Sequence, residues 1–477
     1  MSVVVSASLV ASEWRQWRGD NRDGVAASSP TLVTSLPAEG LKPVWISEKI
    51  ASGNDGGWGS PVVADGKVYL FAHTRAQQSE KQLPPRKYPY LADDKRGHLS
   101  AAEYAEYEKL RREEDAMRGT FYDFMETVHC LDAATGASLW KNEKKSVYTR
   151  FLQSGSPTIV DGKLYILGAA LVARAIDADD GKTLWEQKLP GEFTDEFMDS
   201  SFAAADGVAV VLAGRLFGLD AKTGELLWQG DEKKTKGTHS SPIIWKNGDK
   251  ELIVVNVAGE DTICVEPKTG RELWRIKSQA NHSTPVIVGN RLLTYGNSRR
   301  AGLRCFEISE SGAKPAWVYQ RIADKGSSPV VVDGYVYVQG ERRLACVDLA
   351  TGEEGWSTLL DLNTPQYTSL VAADRKVFYT HDGVLCVAAD PAEYRPLVQG
   401  KINKHGLLAT EASFRKMLKL DELEKSPDGL EKSLKVYQQE VGNHGPLVCA
   451  SPAIVDGRLY VRLKQGIGCY DLRAGGE

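Results

Sequence analysis

An eleven-residue motif recurs along the chain: a small residue, an apolar residue, an acidic residue, a turn ending in Gly, and a closing Trp. It reads CLDAATGASLW from Cys130 to Trp140, then AIDADDGKTLW to Trp185, GLDAKTGELLW to Trp228 and CVEPKTGRELW to Trp274. A stretched copy, CFEISESGAKPAW, ends at Trp317, and CVDLATGEEGW ends at Trp356. The spacing is about forty residues, the period of a four-stranded propeller blade.

Each copy has a partner upstream. SPVVADGKVYLFA begins at Ser60, and the same form starts at Ser156, Ser241, Thr284, Ser328 and Ser451, with weaker copies read from Ser200 and Thr368. Two β-rich runs joined by a tight Asp-Gly or Asn-Gly turn make a hairpin. The Cys130–Trp140 half then supplies a third strand, a turn and a fourth strand. Eight starts predict an all-β fold, an eight-bladed propeller occupying 14–477 as one domain. The chain ends on GCYDLRAGGE, after a third strand, while LKPVWISEKI places Trp45 in a fourth-strand context before any first strand. The N-terminal strand is therefore expected to close the last blade and cover edges otherwise open to pairing. Trp45, Trp140, Trp185, Trp228, Trp274, Trp317 and Trp356 read as wedges docking one blade on the next. Blade 7 has Arg395-Pro396-Leu397-Val398 instead.

Two insertions break the period, at about 73–126 and about 403–446. The first carries a capping box, Ser100 to Glu103, followed by Tyr104, Tyr107 and Leu110 at helical spacing. In the second, Phe414, Met417 and Leu418 fit one helix. Ser426-Pro427 looks like the start of another, with Leu430, Leu434, Tyr437 and Val441 along one stripe. In an antiparallel meander both insertions belong to one face, the face of the loops entering first strands and following second strands. They are expected to wall one sector of its mouth. Loops on a rigid scaffold are where binding usually sits.

That face supplies the ligand-binding candidates Trp58, Gln153, Asp199, His239, His282, Arg299, Arg300, Lys325, Arg342, Arg343, Tyr367 and His444. Imidazole suits transition metals, which makes His239, His282 and His444 candidate metal ligands. They lack local ligand spacing, so no bound metal is expected. The arginine pairs suit carboxylate or phosphate, against a reading as solvated loop charges. Trp58, in SGNDGGWGSP, suits a sugar or aromatic platform, or a plug of the mouth. Catalytic residues are unassigned: GxSxG, a P-loop and HExxH are all missing, and pairs such as Asp195-Glu196 have no role without geometry.

A net charge of −4 gives no reason to expect nucleic acid. No apolar run reaches the ~18 residues of a membrane-spanning helix. MSVVVSASLVASEW has the apolar and small residues of an export signal without its basic start, so 1–13 reads as the remnant of a signal or a disordered lead-in. Cys130, Cys264, Cys305, Cys346, Cys386 and Cys469 share one place in the repeat and read as core packing.

The Ala/Cys-x-Asp-x-x-Thr-Gly-x-x-x-Trp form resembles the propeller repeat of pyrroloquinoline-quinone (PQQ) dehydrogenases, from Trp14 onward. WRQWRGDNRDGV is similar to the start of exported bacterial PQQ-like propellers. A non-enzymatic relative with the same repeat is the lipoprotein scaffold of the outer-membrane barrel-assembly machinery. The resemblance implies Trp-docked blades and a periplasmic or secreted protein. The adjacent cysteine pair of the alcohol dehydrogenases is missing, and their calcium ligands and quinone-flooring Trp have no assigned counterparts. The expectation is a non-catalytic binding or scaffold propeller, a monomer without cofactor, recognising a protein, glycan or small ligand at the insertion-bearing face. The alternatives are a PQQ- and calcium-dependent oxidoreductase of alcohols or sugars, and a metal-dependent enzyme built on the loop histidines.

Overall fold

The computed structural model describes residues 13–78, 80, 82–192, 198–280, 282–362 and 366–475. The expected export remnant, apart from residue 13, and the Asp195-Glu196 pair lie outside the described residues. Eight antiparallel sheets form the propeller, seven of them with their strands in chain order from the axis outward. Blade 1 runs Val62–Ala64, Lys67–Gln77, Tyr122–Asp132 and Ser138–Ser146. Blade 8 has Ala453–Val455, Arg458–Leu463 and Gly466–Asp471, and its outer strand is Trp45–Ile46, with Trp45 opposite Cys469. The N-terminal strand closes the ring as expected.

The turns follow from their residues. Asp65 and Gly66 both take positive φ, 49° and 69°, as do Asp161-Gly162, Asp333-Gly334 and Asp456-Gly457; two positive φ values give a two-residue hairpin turn whose twist matches its strands. In the second turn Asp132 Oδ1 accepts the N–H groups of Ala134 and Thr135 and the Thr135 hydroxyl, at 3.0, 2.8 and 2.8 Å. An Asp holding its own turn in this way explains the repeated acidic residue.

The closing Trp lies against the next blade's turn. A Cβ added to Gly224 would sit 2.6 Å from the Trp185 ring, and the same holds for Gly136 under Trp45, Gly181 under Trp140, Gly270 under Trp228 and Gly352 under Trp317. Indole N–H groups donate into the neighbour's turn region: Trp45 to Ala133 O, Trp185 to Ala221 O, Trp228 to Pro267 O, Trp317 to Leu349 O and Trp356 to Asp390 O. Trp274 instead packs in a cluster with Phe306 and Ile308. In blade 7, Val398 takes the Trp register, opposite Cys386. Cys130, Cys264, Cys305, Cys346, Cys386 and Cys469 are buried thiols, the packing role expected of them.

At the axis a second device joins the blades. The Ser60 N–H donates to Ser156 Oγ at 2.8 Å, and the link repeats from Ser156 to Ser201, Ser201 to Ser241, Ser241 to Thr284, Thr284 to Ser328 and Ser328 to Ser369. Ser451 N–H returns to Ser60 Oγ. The residues in this ring are Ser201 and Ser369, one place beyond the starts read at Ser200 and Thr368.

The lead-in is a built part of the ring rather than a mere approach to it. Trp14 pairs with Val63 through both backbone bonds, Arg15 O accepts from Ile159 N, and Gly24 O accepts from Ala372 N, so the segment crosses the channel from blades 1 and 2 to blade 7. The buried Arg22 guanidinium donates to Pro242 O and Phe202 O, both at 2.6 Å, and Arg18 donates to Asp23 O and Pro329 O. Burial lowers these guanidinium groups to about 9 and about 10, so both remain charged at neutral pH while satisfying carbonyls at the inner ends of the strands.

Both insertions start from the expected face, with corrected bounds. Residues 73–77 and 122–126 are paired strand, His73 opposite Glu126 and Gln77 opposite Tyr122, so the first excursion is 78–121. It carries helix α1 (Ala101–Gly119) with both arms of the Ser100–Glu103 capping box formed. The second adds Leu408–Ala409 as a fifth strand on blade 7, then α2 (Glu411–Met417), α3 (Leu420–Leu423) and α4 (Gly429–Tyr437). The Ser426-Pro427 start is displaced: α4 is preceded by Asp428, without a side-chain cap. The expected stripe is also split. Val441 is buried with Phe414, while Leu430 and Leu434 are 64% and 63% exposed. Within α4 the buried residues are Gly429 and Ser433, so the helix faces the core one position away from the Leu430–Leu434 line, and Val441 lies beyond it in a π-helical turn, Gln438–Gly442.

The turn glycines separate conformational cost from Trp contact. Gly207 has φ +77° with open space where a methyl would go, whereas Gly224 has φ +78° under Trp185. Gly207→Ala is expected to cost about 1 kcal/mol, and Gly224→Ala a further ~1–3 kcal/mol from overpacking. Urea unfolding midpoints of the two variants check the difference.

Candidate functional site on the ring axis

Loops entering the first strands converge on the axis and enclose a cavity of about 650 Å³ on the insertion-bearing face. Trp17 of the lead-in lines it and is tied to the ring, its indole N–H donating to Ser451 Oγ at 3.3 Å. Ser60, Ser156, Ser201, Ser241 and Thr284 line it with their hydroxyl ring. Trp58, Arg150, Phe151, Asp199, His239, His282, Tyr367 and Cys449 also line it, together with Asn54, Ser154 and Gly326.

Trp58 is held by the backbone beneath it. The buried Arg462 guanidinium of blade 8 donates to Gly59 O at 2.6 Å, Gly56 O at 2.9 Å and Ala51 O at 3.1 Å. A Cβ on Gly56 would meet Ala51 O at 2.0 Å, and one on Gly57, at φ +76°, would meet Gln153 O at 2.3 Å. The glycine run is therefore what lets this loop fold onto blade 8 and bring Trp58 to the axis.

His239 and His282 stack with ring centroids 4.3 Å apart and planes at 28°, and Tyr367 continues the stack at 6.4 Å from His282. His239 Nδ1 lies 2.6 Å from Thr238 Oγ1, and its Nε2 lies 3.7 Å from Asp199 Oδ2. Burial, reinforced by His282, lowers His239 to about 4; burial and Lys325 lower His282. Burial lifts Asp199 well above the carboxylate range although about a fifth of its side chain faces the cavity, and lifts the Cys449 thiol to about 12.

Of the twelve ligand-binding candidates, Trp58, Asp199, His239, His282 and Tyr367 meet at this cavity. Gln153 lies beneath it as a strap, its N–H on His73 Nδ1 and its Oε1 accepting from Met198 N. Lys325 is exposed next to the lining residue Gly326. Arg299 pairs with Glu341 at 2.7 Å at the exposed rim, and Arg300, Arg342 and Arg343 are likewise outside the lining. The cause is radial. Loops entering first strands start at the innermost strand, whereas loops after second strands start one strand spacing, about 4.8 Å, farther out.

His444 is also outside the lining, its Nε2 on Gln439 O at 2.9 Å. Imidazole lone pairs lie in the ring plane, so the near-parallel stack of His239 and His282 does not aim two nitrogens at one ion. No group of three or more His, Cys, Asp or Glu side chains suited to a metal occurs among the described residues. The insertions contribute no lining residue from 78–121 or 403–442, so the expected helical wall over the mouth is not formed. Sequence reading missed Trp17, Arg150, Phe151 and Cys449. The serines were visible in it as repeated Ser-Pro starts, but as strand signals.

Acid stability follows from the buried imidazoles. His73, His129 and His239 are each lowered to about 4, mainly by burial. Between about pH 6.5 and pH 4 the unfolded chain binds protons that the folded chain refuses. Stability is therefore expected to fall as pH drops through that window, by on the order of 1–3 kcal/mol per imidazole, and to level below it. Asp199, raised by burial, opposes this, so Asp199→Asn should deepen the fall and His73→Gln should make it shallower. Urea midpoints measured across the window check both.

Residues 125–358 match the family described as Outer membrane protein assembly factor BamB. The chain is 25% identical over 232 residues to the Outer membrane protein assembly factor BamB of Moranella endobia, a match covering 43% of this chain and 58% of that relative. It is 30% identical over 138 residues to Quinohemoprotein alcohol dehydrogenase ADH-IIG of Pseudomonas putida, covering 25% of this chain and 19% of the enzyme. The chain thus spans less than two thirds of the length of either. The solved quinohemoprotein alcohol dehydrogenase of Comamonas testosteroni shares the fold, with a TM-score of 0.57 at 12% identity over 98% of this chain and 81% of that one. From the Trp-docked repeat, its closure into eight blades and these similarities, the chain is a PQQ-like β-propeller repeat protein.

Proposed function

We propose that the protein is a non-catalytic scaffold propeller of the periplasm or cell exterior that holds a protein partner at its insertion-bearing face. The observation that carries this reading is the outward apolar face of the second insertion. Leu430 and Leu434, one helical turn apart on α4, are 64% and 63% exposed, with Met417 of α2 at 45%. Apolar side chains on an elaborated loop of a rigid ring suit a protein partner. Similarity to outer membrane protein assembly factors supports the same reading.

The alternative is a calcium-held quinone and dehydrogenase chemistry. Calcium takes six to eight oxygen ligands, carboxylates prominent among them. The axial cavity offers one carboxyl, Asp199, which burial favours in its neutral form. That donor set does not fit the group.

The test is recovery of a partner from envelope extract on the full chain and on a Leu430→Asp/Leu434→Asp variant. Both side chains point outward, so the variant keeps its fold. A defined protein recovered with the parent chain and reduced at least tenfold with the variant is expected. Equal recovery on both chains, or dye-linked dehydrogenase activity after loading with PQQ and Ca²⁺, would overturn the reading.

A further inference from the structure

The rim arginines of blades 5 and 6 serve neither the axial cavity nor α4. Arg299 and Arg300 lie in the loop after the second strand of blade 5, and Arg342 and Arg343 at the matching turn of blade 6. The Arg299–Glu341 ion pair, at 2.7 Å, joins the two loops across the seam. Their backbones are pinned. Gln320 Nε2 and the Arg304 guanidinium donate to Arg300 O at 2.7 and 3.1 Å, and the Leu360 N–H donates to Arg342 O at 2.7 Å. Glu341 and Arg342 fill the two-residue turn between the paired Gly340 and Arg343, at φ +48° and +62°. Such a turn is least strained with Asn-Gly, so two charged side chains are held there at conformational cost.

The charge along this seam is unbalanced. Arg300, Arg342 and Arg343 make no ion pair among the described residues. The acids beside them are mostly engaged: Glu341 by Arg299, and Glu354 by Arg321 at 3.1 Å and by the Tyr319 hydroxyl. Asp324 accepts the N–H groups of Gly326, Ser327 and Tyr367. Asp361, next after Leu360, and Glu260, close enough to act on the Arg304 charge, stand against Arg300, Arg304, Arg342 and Arg343. The seam is therefore positive in a chain whose net charge is −4. Apolar surface adjoins it: Leu359, 60% exposed, lies directly opposite Arg343 in the blade 6 sheet. Arginine next to exposed apolar surface is the composition of protein interfaces.

A guanidinium presents a planar fork to an anion. On an exposed rim a single ion pair contributes little, so a small anion gains too little to stay. A segment bearing several carboxylates engages both blades at once. An extended anionic sheet such as a membrane also meets the negative remainder of the molecule. We propose that the rim of blades 5 and 6 is a docking surface for an acidic segment of a protein partner, its carboxylates received by Arg300, Arg342 and Arg343 and an apolar side chain by Leu359. This rim shares the insertion-bearing face with α4 but not its blades, since α4 rises between blades 7 and 8. Each surface can fail without the other.

The probe is a fluorescein-labelled octapeptide of six glutamates and two leucines, read by fluorescence anisotropy on the full chain at low salt. It is expected to bind at least tenfold more tightly than the same peptide with glutamine for glutamate, and to weaken as salt is raised. Arg300→Gln/Arg342→Gln should weaken it at least tenfold without moving the urea midpoint, because both side chains are exposed. Arg300→Lys/Arg342→Lys should recover part of the loss, keeping the charge without the fork. Lys432→Gln/Lys435→Gln, the same change of net charge on α4, should leave the affinity as it is. Phosphatidylglycerol vesicles, read by co-sedimentation, should not retain the chain. Equal affinity for the glutamate and glutamine peptides, binding unchanged in Arg300→Gln/Arg342→Gln, an equal loss in Lys432→Gln/Lys435→Gln, or retention on the vesicles would overturn the proposal.

Discussion

Everything in this molecule hangs on how eight sheets that share no strand, apart from the N-terminal loan to blade 8, are held in one ring. Two contacts do this, at opposite ends of most blades. At the axis a Ser or Thr hydroxyl accepts the backbone N–H of the preceding blade, closing through Ser451 to Ser60. At the periphery an indole lies on the neighbour's turn glycine. The inner contact satisfies a buried amide that would cost about 1–3 kcal/mol if left unpaired. The outer one buries a large apolar surface. Both are local and repeat over most seams of the ring, so much of its closure is a sum of similar steps.

Ring closure also creates the site. First strands are innermost, so the loops that enter them are the loops that meet. Side chains from around the ring reach one cavity, from Trp58 ahead of blade 1 to Cys449 ahead of blade 8. The channel beneath is sealed by the lead-in, whose Arg18 and Arg22 cap carbonyls at the inner ends of the strands. What a plain propeller would leave as a wet pore becomes a closed-bottomed pocket with Trp17 in it. The same hydroxyls that lock the blades face that pocket.

The elaborated segments are decoupled from this pocket. The long hairpin of blade 1 carries α1 outward, and the second insertion extends blade 7 by a fifth strand before its helices. Neither reaches the axis. The protein therefore presents two surfaces of different character on one face: a hydroxyl- and aromatic-lined cavity at the centre and an apolar helix farther out. A scaffold can use the second without occupying the first.

Periodicity alone determined the blade count, the antiparallel order, the two hairpin turns, the strand loan that closes blade 8 and the docking role of the tryptophans, because each rests on residues near in sequence whose pattern repeats. The Ser100–Glu103 cap was legible for the same reason. Distance from the axis was not legible: Arg299 and His282 occupy equally plausible loop positions, and only the strand order sends one to the rim and the other to the cavity. Trp17 and Arg150 carry no repeat signal, since their roles come from one non-repeating segment threading the ring and one loop folding inward. The stripe on α4 misled because the helix turns Gly429 and Ser433 inward, one position before Leu430 and Leu434, which the spacing of apolar residues does not show. Repetition set the frame, and tertiary structure chose the site, because convergence on an axis is a property of the closed ring and of no single blade.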